Sequence, residues 1–306
     1  MEIYAVFGNP ILHSKSPQLF NSVFREMGVD AKYTRIRPKS GKDLIDIILH
    51  LNIKGANITT PFKTEVVEFL DKVDADAKVI GGVNTITNIN GKLTGYNTDH
   101  IGVVNSLHEG NIVLKDKQVL VLGAGPAAAA ASFGLISSMA NVFISNRTKQ
   151  KALELSRQLN IGYIDFSDVV HHLNDFDVVV SALLPNVNPF ENISVPQHLV
   201  LLDANYRQSQ LSKHFEGQGC KVISGKRWLI HQAIASFKIY RDDAPLIETM
   251  NQAVEIDLER ESLKAEWMQR TTKEIAIGEY DILISASNET EFKQILNNEI
   301  SKTFGS

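Results

Sequence analysis

The stretch VLVLGAGPAAAAASFGL, residues 119–135, joins an apolar run to an alanine-rich run through a glycine turn. Three small residues in it, Gly123, Gly125 and Ala128, follow the spacing G-x-G-x-x-G/A. In this pattern the glycines allow a tight turn and let the backbone approach a pyrophosphate at the helix N-terminus. Pro126 fits the first helical position, because no amide donor is needed there. The stretch therefore predicts a strand–turn–helix unit that binds a dinucleotide.

Segments typical of strands and helices alternate on both sides of this unit. The first series contains IYAVFG, QLFNSVFREMG, AKYTRIRP, GKDLIDIILHLN and GANIT, and the second runs from KQVLVLGAG to CKVIS. Such alternation is typical of mostly parallel sheets covered by helices. We therefore predict an α/β protein of two domains, an α/β/α domain at residues 1–102 and a Rossmann-type domain at residues 103–225. Residues 226–306 would return to the first domain and end in an extension.

The composition excludes several classes of protein. The chain has 306 residues, 43% of them hydrophobic and 22% charged, and carries a net charge of −4. A nucleic-acid-binding protein would usually carry a basic excess. Cys220 is the only cysteine, and the N-terminus lacks the pattern of a signal peptide. No apolar run reaches membrane-spanning length, and no histidine pair has the spacing of metal ligands. We expect a cytoplasmic protein that binds a small molecule, without a metal or a membrane.

The residues after the next strand favour NADP over NAD. NAD enzymes usually place an acidic residue about 20 positions after the glycines, where it binds the ribose 2′-hydroxyl. Here the sequence reads SNRTKQK, so Asn146, Arg147, Thr148 and Lys151 occupy this region. Cations would attract a 2′-phosphate that a carboxylate would repel. The alternative is an exposed helix start with solvated charges.

The segment HSKSP, residues 13–17, opens a second strand-to-helix junction. Ser16 is a candidate N-cap with Pro17 at the first helical position. Hydroxyl groups at a helix N-terminus suit a carboxylate ligand. The alternative is that Ser16 only caps the helix and that Ser14 is part of a loop.

Asparagines stand at three predicted strand ends, where open α/β sheets bind ligands. They are Asn57, Asn84 and Asn97. Asparagine is also common in turns, so a structural role remains open for each of them.

GANITTPFKTEV, residues 55–66, predicts a strand and then a helix with Thr60 as cap and Pro61 at its first position. Lys63 would lie in the first turn, where the helix dipole disfavours an ammonium group. A lysine placed there invites a functional explanation.

Several motifs in this order resemble the shikimate dehydrogenase family: FGNPILHSKSP, GANITTPFK, GGVNTI, GYNTD, VLGAGPAA, NRT and GKRWLIHQA, between residues 1 and about 240. Members of this family reduce 3-dehydroshikimate to shikimate with NADPH. The resemblance implies that residues 1–102 form the substrate-binding and catalytic domain and that residues 103–225 bind NADP. It also implies a role in the synthesis of chorismate and the aromatic amino acids.

The resemblance also assigns roles to single residues. It places Ser14 and Ser16 at the substrate carboxylate, and Lys63 with Asp99 in catalysis. The other implied substrate contacts are Asn57, Thr59, Asn84 and Gln232. The implied cofactor contacts are Gly123, Ala124, Gly125, Asn146, Arg147, Thr148 and Lys151.

This assignment suggests why Lys63 stands where it does. Ketone reduction needs a proton at the oxygen as hydride reaches the carbon, and an amine held by a nearby carboxylate can deliver it. The alternative is a simple ion pair between Lys63 and Asp99 that joins two elements.

The sequence departs from the family pattern at three places. His100 follows Asp99 where the family usually has glycine, PAAAAAS lacks an arginine often found after the glycine loop, and SALLPNVNPF (181–190) replaces the usual segment beside the nicotinamide. These departures keep two alternatives open: an NAD-dependent quinate/shikimate dehydrogenase, and a catalytically weak, regulatory relative that binds shikimate. We expect a monomer or a homodimer.

Residues 257–306 extend past the resemblance. DLERESLKAEWMQR (257–270) predicts a charged amphipathic helix. DILISASNETEFKQILNNEI (281–300) predicts a strand, a cap at Asn288 and a helix. We expect residues 270–306 to be dispensable for the chemistry.

Overall fold

A computed structural model describes residues 1–268, 277–278 and 280–305. The chain forms two compact units. The first contains residues 1–78, 82–97 and 236 to the C-terminus, and the second contains residues 79–81 and 98–235.

The first unit is built on an eight-stranded sheet. In chain order its strands are β1 (Glu2–Phe7), β2 (Ala31–Arg37), β3 (Gly55–Ile58), β4 (Lys72–Val73), β5 (Thr85–Ile89), β6 (Lys92–Tyr96), β13 (Lys264–Trp267) and β14 (Asp281–Ile284). Their spatial order is β13-β14-β2-β1-β3-β5-β6-β4. Only β5 runs antiparallel to its neighbours β3 and β6 among the described strands, and the turn from β5 to β6 uses Asn90 and Gly91 with positive φ. The predicted mostly parallel sheet is confirmed.

Four helices pack within the first unit and a fifth, α3, ends at the boundary between the units. They are α1 (Ser16–Glu26), α2 (Gly41–His50), α3 (Ala75–Ile80), α9 (Ile247–Ala253) and α10 (Glu289–Phe304). Helix α1 shows how the sequence selects its buried face, because Leu19, Phe20, Val23 and Phe24 recur at helical spacing and are all buried.

The second unit contains a six-stranded, fully parallel sheet. Its strands are β7 (Gln118–Leu122), β8 (Asn141–Ser145), β9 (Gly162–Tyr163), β10 (Val178–Ser181), β11 (Val200–Asp203) and β12 (Lys221–Ile223). Its helices are α4 (Asp99–Glu109), α5 (Pro126–Ser137), α6 (Lys149–Leu159), α7 (Gln210–Gly217) and α8 (Gly225–Arg241), the last of which ends in the first unit. The spatial order β12-β11-β10-β7-β8-β9 is the doubly wound Rossmann order, which confirms the predicted fold class.

Strand β7 explains why this sheet forms from continuous apolar runs. Val119 and Val121 belong to one buried cluster, and Leu120 and Leu122 belong to another. Alternate residues therefore face opposite sides of the sheet, and both sides are covered, as is usual for parallel sheets.

The boundaries between the two units differ from the predicted domain boundaries at residues 102 and 225. Residue 102 lies inside α4, which packs against α5 and therefore belongs entirely to the second unit. Helix α8 stays with the second unit as far as residue 235.

The predicted helix starting at Thr60 is wrong. Residues 60–64 form a turn, a 3₁₀ helix follows at Glu65–Phe69, and the chain then enters β4. The Glu65 carboxylate accepts from the backbone N–H of Gly41 at 2.6 Å, which ties this short helix to the start of α2. Phe62 and Val66 are buried as predicted, but one turn of 3₁₀ helix is enough to bury them.

The predicted helix at residues 257–270 is also wrong over its described part. A 3₁₀ turn at Arg260–Ser262 precedes β13, in which Ala265 and Trp267 are half-buried and Lys264 and Glu266 are exposed. The apolar period is therefore two rather than 3.6. Gln269 and Arg270 lie outside the described residues. The strand, the Asn288 cap and the final helix predicted after residue 281 are all confirmed.

Candidate active site

The two serines predicted to bind a carboxylate lie together where the loop after β1 enters α1. The hydroxyl oxygens of Ser14 and Ser16 are 3.3 Å apart. The carbonyl of Ser14 accepts from Nε (3.0 Å) and Nη2 (2.6 Å) of the fully buried Arg35. A buried guanidinium with five fixed donors holds such a carbonyl in one place.

Ser16 is not the N-cap that the sequence predicts. It is the first residue of α1, and Lys15 occupies the cap position without a side-chain cap bond. The hydroxyl of Ser14 accepts from the backbone N–H of Ser16 at 3.4 Å instead. The Ser14 hydroxyl thus supplies an acceptor at the N-terminus of α1, and the helix begins one residue before Pro17.

A buried polar network joins the predicted substrate residues Asn57 and Asn84. The Asn57 amide donates to the carbonyl of Asn84 (3.2 Å) and to the hydroxyls of Thr85 (3.2 Å) and Ser236 (3.0 Å). Its oxygen accepts from the Tyr33 hydroxyl at 2.7 Å. The amide of Asn57 is thus fixed by four partners, so its orientation is set before any ligand binds.

Tyr33, which donates to Asn57, is itself fully buried. Burial raises the pKa of its hydroxyl well above the ordinary tyrosine value, and contacts with Ser16 and Asn57 oppose that shift only in part. Tyr33 therefore stays protonated and keeps donating its hydrogen bond.

Thr59 is half-buried directly after β3, where its methyl group packs against Gly8.

Lys63 is half-buried in the turn that replaces the predicted helix. Its carbonyl accepts from the N–H of Val83 at 2.8 Å, and Gly82 packs against its backbone. The lysine backbone is therefore fastened next to Asn84. Because no helix begins at Thr60, the predicted position of Lys63 in the first turn of a helix is wrong.

Asp99 and Gln232 lie in the second unit. Asp99 is the buried first residue of α4, where the partial positive charge of the helix N-terminus favours a carboxylate. The preceding residue, Thr98, donates its hydroxyl to the Gln232 side-chain oxygen at 3.5 Å. Gly102 permits this approach of α4 to α8, because a Cβ there would lie 2.6 Å from the Trp228 ring. The pairing of Lys63 with Asp99 stays a prediction.

The glycine loop follows β7 at the point where the strand order reverses, which is where such sheets bind ligands. Gly123 has φ +116°, a backbone conformation that side chains rarely allow. Its N–H donates to the carbonyl of Ser145 at 2.9 Å. Gly125 caps α5 with extended backbone, and apart from its chain neighbours and its own helix no described residue has an atom within 4 Å of a Cβ built there. The half-buried Ala124 lies between them, and the loop leaves room for a phosphate beside the N-terminus of α5.

The predicted cofactor cations stand beyond β8, at the start of α6. Arg147 and Lys151 are exposed, and neither forms an ion pair with another described residue. Lys149, which lies between them in the sequence, forms an ion pair with Asp165, with 3.0 Å between Nζ and Oδ2. Asn146 donates to the carbonyl of Thr148, the N-cap of α6, at 3.0 Å. The region therefore presents two available cations and a helix N-terminus, which fit a 2′-phosphate.

Two family models match the chain. One is the shikimate dehydrogenase substrate binding domain, over residues 6–86, and the other is shikimate / quinate 5-dehydrogenase, over residues 106–197. The chain belongs to the shikimate dehydrogenase family. This confirms the family that the motifs predicted.

Relatives within the shikimate dehydrogenase family match over nearly their whole length. Shikimate dehydrogenase (NADP(+)) of Aquifex aeolicus is 36% identical over 246 residues, 78% of this chain and 91% of that protein. The crystal structure of shikimate dehydrogenase from Aquifex aeolicus gives a TM-score of 0.80 at 32% identity, covering 84% of this chain and 98% of that one. Shikimate 5-dehydrogenase from Thermus thermophilus in complex with NADP(H) and shikimate gives 0.76 at 28%, covering 83% and 98%. Part of this chain therefore has no counterpart in these shikimate dehydrogenases.

Several residues that hold the shikimate dehydrogenase motifs in place were not predicted from the sequence, namely Tyr33, Arg35, Thr85 and Ser236. Tyr33 and Arg35 lie two positions apart in β2 and are both fully buried. Polar side chains at alternate positions of a buried strand were a readable signal, because buried polar groups need partners.

The segment 181–190, which departs from the shikimate dehydrogenase pattern, follows β10. Ala182 faces Gly123, with 3.4 Å between its Cβ and a Cβ built on the glycine. The carbonyl of Leu183 accepts from Asn205 at 3.0 Å, whereas Leu184 is 70% exposed. The segment ends at Phe190, which is buried against Phe215.

Neither a metal-binding cluster nor a membrane-spanning helix occurs among the residues that the structure describes. No cluster of three or more histidine, cysteine or acidic side chains is arranged to hold a metal there. None of the helices there is both long enough and apolar enough to cross a membrane.

Proposed function

We propose that the protein is an NADP-dependent shikimate dehydrogenase that interconverts 3-dehydroshikimate and shikimate in the synthesis of chorismate and the aromatic amino acids. The network around Lys63 carries this proposal. The backbone of Lys63 is bonded to Val83, the next residue is Asn84, and Asn84 accepts from Asn57. The backbones of Lys63 and Asn84 and the side-chain amide of Asn57 thus belong to one connected structure.

Each residue has a definite task in the proposed reaction. Ser14 and Ser16 donate hydrogen bonds to the substrate carboxylate, and Asn57, Thr59, Asn84 and Gln232 bind the substrate ring. When bound at the glycine loop, NADPH supplies the hydride that reduces the ketone carbon. Lys63 donates a proton to the ketone oxygen, which becomes the hydroxyl of shikimate, and takes it back in the reverse direction. Asp99 acts as the catalytic partner of Lys63.

The cofactor residues fit NADP by two features of the second unit. Gly125 leaves space for the pyrophosphate, and Asn146, Arg147, Thr148 and Lys151 offer donors and positive charge to the 2′-phosphate. Gly123 and Ala124 complete the loop.

Steady-state kinetics with four reactant pairs test the proposal. Reduction of NADP⁺ or NAD⁺ is followed at 340 nm with shikimate or quinate as substrate. We expect the highest kcat/KM for shikimate with NADP⁺. A higher value for quinate with NAD⁺ would overturn the substrate and cofactor, and tight shikimate binding without turnover would favour a regulatory protein.

For assembly and location we propose a monomer or homodimer in the cytoplasm. The lone, buried Cys220 is compatible with a reducing compartment. Sedimentation equilibrium and cell fractionation measure both properties, and a larger oligomer or a secreted protein would contradict them.

A further inference from the structure

The C-terminal extension is an integral part of the first unit. Strand β14 pairs in parallel with β2, in the register Ile282 to Arg35 and Ile284 to Arg37. Helix α10 follows and contributes Glu299, whose side chain is buried at 2% exposure. The extension therefore reaches the same strand whose Arg35 holds the carbonyl of Ser14.

Glu299 uses its charge to bind a loop that is far away in sequence. Its Oε2 accepts from the backbone N–H groups of Ile11 (3.0 Å) and Leu12 (3.1 Å), and Oε1 accepts from Ile11 at 3.3 Å. Nε of Arg37 lies 3.7 Å from Oε1. A carboxylate is stable at such burial only when hydrogen bonds and opposite charge replace its water.

The bound amides belong to the loop that presents Ser14. The N–H of Ser14 donates to the carbonyl of Ile11 at 2.9 Å. Arg37 also donates to the side chain of Asn9 at 3.3 Å. The loop between β1 and α1 is therefore held from two directions, by Glu299 at its middle and by Arg35 at Ser14.

We propose that Glu299 is a positioning residue for substrate binding, which fixes Ile11 and Leu12 so that the hydroxyls of Ser14 and Ser16 stand ready for the substrate carboxylate. This inference rests on the proposed function, which assigns those hydroxyls to the carboxylate. The expectation that residues 270–306 are dispensable for the chemistry stays a prediction, but substrate binding would depend on Glu299 within them. The extension would then determine substrate affinity without touching the substrate.

The test replaces Glu299 with glutamine and uses Glu289→Gln as its control. Glutamine keeps the size of the side chain but offers one acceptor oxygen, and its NH₂ group would oppose a backbone N–H. Glu289 lies on the same helix, is exposed and pairs only with Lys293 among the described residues. We expect Glu299→Gln to raise KM for shikimate by roughly tenfold, since small misplacement of binding groups is costly. The values of kcat and of KM for NADP⁺ should stay within about twofold, and the control should match wild type.

Several outcomes would overturn the inference. A folded Glu299→Gln protein with wild-type KM for shikimate would do so, and so would equal increases in KM for shikimate and NADP⁺. If the glutamine variant does not fold, Glu299→Asp keeps the charge but shortens the reach, and an unchanged KM there is equally decisive. Absence of shikimate turnover in the wild type would instead remove the proposed function, so the two failures are distinguishable.

Discussion

Lys63 lies in a turn after β3, half-buried and fastened through its carbonyl to Val83. This geometry fixes the backbone of Lys63 directly after the carboxyl end of β3. A proton donor benefits from such an arrangement, because the reacting groups must be held close together. The role of Lys63 therefore rests on anchoring in a turn, without any contribution from a helix dipole.

Replacing Lys63 with alanine should reduce kcat by roughly 10²- to 10⁴-fold, the usual contribution of general acid–base catalysis. Affinity for shikimate should change much less, because the proposed contacts from the serines and asparagines are kept. Asp99→Asn should also slow turnover, and the double variant should lose less than the two effects combined if the residues act as a unit.

Kinetics and circular-dichroism melts distinguish a catalytic role of Lys63 from an ion pair with Asp99 that only stabilises the fold. Lys72→Ala, which removes an exposed lysine of the same unit, is the matched control. A folded Lys63→Ala protein with near-normal turnover would end the catalytic assignment.

We expect cofactor choice to depend most on Arg147. Arg147→Ala should weaken NADP⁺ binding by about 1–3 kcal/mol, the contribution of a charge-assisted contact, with little effect on NAD⁺. Calorimetry with both cofactors measures this, and Arg157→Ala, an exposed arginine in the last turn of α6, is the control. Equal weakening of both cofactors would show that Arg147 does not bind the 2′-phosphate.

At the scale of elements, the junction of β7 and α5 separates two uses of glycine. Gly123 is required by its positive φ, whereas Gly125 has extended backbone that any residue adopts. The open space beside Gly125 therefore points to a ligand rather than to folding.

Two alanine variants test this distinction. Gly123→Ala should lower the free energy of unfolding by about 1–3 kcal/mol through backbone strain. Gly125→Ala should leave stability unchanged but raise KM for NADP⁺ by roughly tenfold, because its methyl group occupies the approach of the pyrophosphate. Denaturant titration and kinetics measure both variants. A destabilised Gly125→Ala protein with normal KM would reverse the assignment.

Helices and strands were predictable where a long stretch has a regular apolar pattern and a recognisable signal marks the start or end of the element. Helix α10 was found from the Asn288 cap, and β7 with α5 from the glycine loop. The segments after Thr60 and Asp257 were wrongly predicted to be α-helices. One is a single 3₁₀ turn and the other a half-buried edge strand, and each is too short for its apolar spacing to be distinguished from that of an α-helix. Tertiary contacts such as that of Glu65 with Gly41 decide these cases.

At the scale of the whole molecule, the order of motifs predicted the family, the fold class and two structural units. The residues that hold the predicted site residues in place through distant contacts were not predictable in the same way. Glu299 is separated from Ile11 by 288 positions, and no local pattern announces such a contact. Arg35 and Tyr33 were readable as buried polar residues of a strand, but their partners required the fold.

Isotope transfer is the measurement that tests the central claim, direct reduction of a ketone by NADPH, most directly. NADPH deuterated at C4 on one face or on the other is incubated with the protein and 3-dehydroshikimate, and shikimate is analysed by mass spectrometry. A dehydrogenase transfers hydride from one face of the nicotinamide, so only one of the two labelled cofactors should yield shikimate heavier by one mass unit. Shikimate without deuterium from either cofactor, or no shikimate at all, would contradict the account.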